Sequence, residues 1–112
     1  MIQEELILAI KEGSLEQVKT LIHEENKNSC DKYGNTPLMI SIQKNQEAIF
    51  DFILAQKVEV NHFNLYGANA LILSLNKNLY FTEKLLAHQA LTDTIEMTCL
   101  PKQYKELFLK YK

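Results

Sequence analysis

The chain has 112 residues, 46% of them hydrophobic, and a formal net charge of −2. That length makes one folding unit with a modest core, and that composition excludes a disordered chain. No apolar run approaches the ~18 residues of a membrane span. All 12 basic residues are lysine, so the planar arginine fork that usually reads phosphates and guanine edges is missing. Neither a membrane nor a nucleic acid is an expected partner.

The opening Met1-Ile2-Gln3-Glu4-Glu5 is acidic where a secretion signal is basic, and a cytoplasmic address is expected. A helix is then expected over 4–12, from its match to residues 38–45 and 71–78, closed by Gly13, which reaches the left-handed conformation of a C-cap without strain. A second helix is expected over 14–24. Ser14 and Gln17 have capping-box spacing, and Val18, Leu21 and Ile22 share one face. In the next stretch, Thr36 is a candidate N-cap and Pro37 fits a first helical turn, where no backbone donor is needed. Helices are expected over 37–44 and 46–56, with Phe50, Ile53 and Leu54 repeating the earlier apolar face. Asn69 should cap the following helix. Asn45 and Asn78, like Gly13, are read as residues that end a helix. Pro101 to Tyr111 reads as a last helix with Tyr104, Leu107, Phe108 and Tyr111 on one stripe.

These elements repeat. Asp31-Lys32-Tyr33-Gly34-Asn35-Thr36-Pro37-Leu38 is echoed 33 residues later by Asn64-Leu65-Tyr66-Gly67-Ala68-Asn69-Ala70-Leu71. Leu6, Leu38 and Leu71 are each followed three residues on by a small side chain (Ala9, Ser41, Ser74), as closely stacked helices require. The pairs Leu21-Ile22, Ile53-Leu54 and Leu85-Leu86 recur every 32 residues.

A period near 33 with Gly34-Asn35-Thr36-Pro37-Leu38 resembles the ankyrin-repeat family over nearly the whole chain. The resemblance implies an all-α solenoid of stacked helix pairs with short, outward-pointing β-hairpin fingers. It implies one domain over 1–112: an N-terminal capping helix pair at 1–30, repeats at 31–63 and 64–93, and a degenerate C-terminal capping unit at 94–112. The histidine that follows Thr-Pro-Leu in the family is Met39 here, with Ile72 and Ile7 at the same register. An apolar side chain is therefore expected to hold the loop. The resemblance also implies a binding surface of finger tips and first-helix faces. Carried over by register, the partner-binding residues are Lys32, Tyr33, Asn35, Gln43 and Lys44, then Phe63, Leu65, Tyr66, Ala68, Asn76 and Lys77. Tyr33 and Tyr66 recur on successive fingers, either as contact anchors or as packing between fingers.

Little else in the chain suggests chemistry. Cys30 and Cys99 read as reduced thiols, and neither has a zinc-ligand spacing. His23 and His88 fall near the ends of equivalent helices, where an imidazole suits the helix C-terminus. The glycines are explained as turn residues and form no phosphate loop. No catalytic residues, cofactor or metal are expected. The expected function is non-enzymatic binding of another protein by a monomer. A small inhibitor or immunity protein would fit that description. The alternative is a self-assembling scaffold that uses the C-terminal helix.

Overall fold

The structure, a computed structural model, describes residues 3–88, 90 and 100–111. Among them are seven helices and no strand: α1 (Glu4–Glu12), α2 (Leu15–Leu21), α3 (Pro37–Gln43), α4 (Glu47–Leu54), α5 (Ala70–Ser74), α6 (Leu79–Ala87) and α7 (Lys102–Lys110). They run as antiparallel pairs, α1–α2, α3–α4 and α5–α6, with α7 packed on α6. α3 lies between α1 and α5 in one layer, and α2 neighbours α4 in the other. The result is an elongated slab of 39 × 25 × 21 Å. Expectations for residues 91–99, including the register of the last unit and the Cys99 thiol, lie outside the described residues.

Local chemistry sets the helix ends. Gly13 closes α1 at φ 78°, and its N–H and that of Ser14 reach back to Ile10 and Ala9 carbonyls. The Ser14 hydroxyl accepts from the Gln17 amide and starts α2. α2 then stops at Leu21, short of the expected 24. Asn26 is buried there, donating to the Leu21 carbonyl at 2.9 Å and accepting from the His23 amide at 2.7 Å. Thr36 caps α3 as expected, with a return partner that the sequence reading missed. The Met39 sulfur accepts from the Thr36 amide at 3.4 Å, so the thioether closes the cap by hydrogen bonding as well as by apolar contact.

Two expectations need correction. Asn45 does take a left-handed conformation after α3, at φ 57°. Asn78 does not end a helix. At φ −159° it is the N-cap of α6, its side-chain Oδ1 accepting from the Tyr80 and Phe81 amides. α5 has already ended at Ser74, so the short turn 75–77 connects directly to that cap. The fingers also lack a strand ladder among the described residues. Each is a tight turn held by a side chain, described below.

The core follows the repeat. Leu6, Leu38 and Leu71 are all buried, as are the small residues Ala9, Ser41 and Ser74 between stacked helices. A buried serine in a helix needs a partner. The Ser41 and Ser74 hydroxyls each donate to the carbonyl three residues back at 2.6 Å, and Ser74 also meets the Thr82 hydroxyl at 2.8 Å. Phe50 of α4 meets Phe81 of α6 edge to face, with centroids 4.8 Å apart. α7 covers the last unit with Phe108 buried and Leu107 half-buried, while Tyr111, expected on the same stripe, stays at the exposed end.

A polar strut joins α4 and α6. The Tyr80 hydroxyl donates to the Asp51 carboxylate. That hydrogen bond, then burial, then the Asp51 and Glu47 charges push the phenol from 10.0 up to about 12. A raised folded-state value means that the strut's stabilisation is whole below the unfolded value near 10 and is lost as pH climbs towards 12. The stability difference between wild type and Tyr80→Phe should therefore be constant at neutral pH and shrink across that alkaline window. Urea titrations of both proteins at a series of pH values measure it.

Candidate interaction surface

Two turns, at residues 31–35 and 64–68, project from the stack. Asp31 Oδ1 accepts from the Tyr33 and Asn35 amides, each at 2.9 Å. Asn64 Oδ1 repeats this for Tyr66 and Ala68, at 2.9 and 3.0 Å. Backbone bonds from Asp31 to Asn35 and from Asn64 to Ala68 close each turn, and Gly34 and Gly67 supply the left-handed residue at φ 81° and 78°.

The fingers are fastened to each other. The Leu65 amide donates to the Tyr33 carbonyl at 3.0 Å. Asn64 is buried and donates its spare amide hydrogen to Asn35 Oδ1 at 2.9 Å. His62 Nε2 lies 3.0 Å from the Gly34 carbonyl and 3.3 Å from Cys30 Sγ. One nitrogen facing both groups favours the Nε2–H tautomer, which donates to the carbonyl and leaves sulfur a weak acceptor.

Gly34 allows this close approach. A Cβ there would stand 2.9 Å from the Leu65 nitrogen, whereas one on Gly67 would meet nothing within 4 Å. Both substitutions to alanine bear the cost of positive φ, about 1 kcal/mol. Gly34→Ala should lose clearly more stability than Gly67→Ala, because it must also push the fingers apart. Parallel thermal melts decide this, and equal losses would show that the fingers are not in contact.

The lock presents an apolar tip. Leu65 and Tyr66 are 77% and 76% exposed, and Phe63 and Tyr33 are also exposed. The Tyr33 and Tyr66 rings stack with centroids 6.3 Å apart, and Lys32 Nζ sits 5.2 Å over the Tyr33 ring. Contact between fingers and exposure therefore coexist in this pair.

The register-derived residues separate into groups. Lys32, Tyr33, Phe63, Leu65 and Tyr66 are exposed at the fingers, with Ala68 half-buried beside them. Asn35 faces inward, buried by its bond to Asn64, so its side chain holds the fingers and is not presented at the surface. Gln43 is half-buried, and Lys44, Asn76 and Lys77 are exposed, at the far ends of α3 and α5. Seven residues of α3 put that second group about 10 Å along the helix axis from the fingers. Asn78, the N-cap of α6, donates to Asn45 at 3.0 Å and so ties the start of α6 to the turn that follows α3.

α1 adds residues that the register did not suggest. Ile7, Leu8 and Lys11, with Glu4, form one wall of a groove of about 400 Å3 whose other wall is Asp31, Lys32 and Tyr33. Leu8 is 48% exposed. The signal was present for Leu8, which falls outside the buried spacing Leu6, Ala9, Ile10 and faces solvent, whereas Ile7 is half-buried against the core and only borders the groove.

Among the described residues no three His, Cys, Asp or Glu side chains converge to hold a metal ion. No described helix is long and apolar enough to cross a membrane.

A sequence profile for ankyrin repeats, in three copies, matches residues 6–96. Many solved chains are similar in structure. One belongs to the complex of the predatory endopeptidase Bd0816 from Bdellovibrio bacteriovorus with immunity protein Bd3460. It superposes with a TM-score of 0.84 at 27% identity, covering 98% of this chain and 64% of that one. This chain thus spans a little under two thirds of that neighbour's length. Among curated proteins no sequence matches.

Proposed function

The chain belongs to the ankyrin-repeat family, and on that premise we propose that it is a non-enzymatic inhibitor of immunity-protein type. It would occupy a partner protein with its fingers and first-helix face. Ankyrin repeats are protein-interaction modules, and a structural neighbour comes from a complex of an endopeptidase with an immunity protein. Residues 1–112 would act as one array, with 1–30 and 94–112 as its capping units, working as a cytoplasmic protein.

One observation carries the reading. Leu65 and Tyr66 are more than three quarters exposed, yet they sit on turns fixed by buried asparagine and a shared backbone bond. Exposed apolar groups on rigid supports lose little entropy on binding, which is what an anchor requires. The adjoining groove offers a second apolar contact through Ile7 and Leu8, flanked by Lys11 and Lys32 together with Glu4 and Asp31. Those lysines suit a neutral or mildly acidic partner surface and act more on the rate of encounter than on affinity.

The test is a pull-down from the native cell with three baits: wild type, Leu65→Lys/Tyr66→Ala and Glu47→Ala. A protein retained by the first and third baits and lost from the second supports the reading. If the captured protein is a hydrolase, adding the wild-type chain should suppress its activity. Capture that is indifferent to the finger variant would overturn the proposed face.

A further inference from the structure

A second surface lies at the end of the array. α1 and α2 enclose a groove of about 490 Å3 lined by Glu5, Leu8, Glu12, Glu16, Gln17 and Leu21 among others. It has an apolar floor, with Leu8 exposed and Leu21 half-buried, under a rim of glutamates, of which Glu16 also makes a long, exposed ion pair with Lys19 at 3.9 Å. The opposite end of the slab has the reverse character. α7 carries Lys102, Lys105 and Lys110 against the single Glu106, and it exposes Leu109 at 61% and Tyr111 at 37%. Its ion pairs, Lys102–Glu106 at 3.9 Å and Lys110–Glu83 at 3.8 Å, are long and solvent-exposed, so they leave those ammonium groups open to a better partner.

We propose that a second copy of this chain docks head to tail, with its α7 seated in the α1–α2 groove of the first. Both ends pair an apolar centre with charge, and the charges are opposite. Like ends would place glutamate rim on glutamate rim, or lysine on lysine. The favoured contact is therefore heterologous, joining unlike ends. It continues the direction in which the helix pairs already stack. The end groove shares Leu8 with the groove beside Tyr33, but Glu12 and Glu16 line only the end groove. The two surfaces can thus be altered separately.

Sedimentation velocity on the full chain tests this. The average mass of wild type should rise from micromolar to millimolar protein, and less steeply in high salt, which screens the exposed charges. Glu12→Lys/Glu16→Lys spoils the head, and Leu109→Lys spoils the tail. Each change is at an exposed position, so far-ultraviolet circular dichroism should be unchanged, and each variant alone should associate about tenfold more weakly. Mixed together, the intact tail of the first variant and the intact head of the second should form a dimer that grows no further. Three results would overturn the proposal. One is a wild-type mass that stays monomeric throughout. Another is association lost in Leu109→Lys but kept in the glutamate reversal, which would mean tail-to-tail pairing. The third is a mixture that stays monomeric.

Discussion

Replacing Phe81 with alanine should destabilise the protein by about 3–5 kcal/mol. Phe81 is fully buried, packs edge to face on Phe50 across α4 and α6, and neighbours the Tyr80 ring at 6.1 Å. Its loss removes the ring contact between the second and third helix pairs and leaves a cavity in the core. A small domain has about 5–15 kcal/mol in total, so the effect is a large share of what exists. It should also change the shape of unfolding. In a solenoid each unit is held by its neighbours, and weakening one joint lets the units beyond it open first. Urea unfolding followed by circular dichroism should show an earlier and broader transition, with α5–α7 melting ahead of α1–α4. A loss below about 1 kcal/mol, or an equally sharp transition, would show that the joint is not where the stacking strength lies.

Tyr66→Ala should weaken partner binding by about 1–3 kcal/mol while leaving the fold nearly intact. The side chain is exposed and its ring stacks on that of Tyr33, whereas the turn beneath it is held by Asn64 and Gly67, which the substitution leaves in place. Glu47→Ala, on the solvated outer side of α4, should be close to neutral. Isothermal titration of each variant against the captured partner measures both. Equal losses at the two positions, or a loss only at Glu47, would place the interface on the opposite side of the slab.

Much of the fold was legible because repeats print their contacts at fixed offsets. The leucines 6, 38 and 71, the small residues three positions later, and the caps Gly13, Ser14, Thr36 and Asn69 all took their expected roles. What the sequence hid were interactions between units or choices between equivalent local roles. Asparagine can end a helix or begin one, and Asn78 begins α6 because α5 is too short to reach it. Methionine at the family's histidine position reads as apolar, yet its sulfur finds the Thr36 amide. Asn35 sits in a surface signature, and only the arrival of Asn64 from the next unit turns it inward. The groove of Ile7 and Leu8 against Tyr33 likewise joins residues far apart in the chain, so a reading confined to one register could not assemble it. Leu65 and Tyr66 were visible from the start, since two apolar residues before a turn glycine have few places to hide.

Amide hydrogen exchange on the chain, free and bound to the captured partner, maps the interface most directly. Binding through the proposed face should slow exchange at residues 31–35 and 63–68 and along α1, with α2, α4 and α6 unchanged. Protection confined to α2, α4 and α6, with the two fingers exchanging as in the free protein, would contradict it.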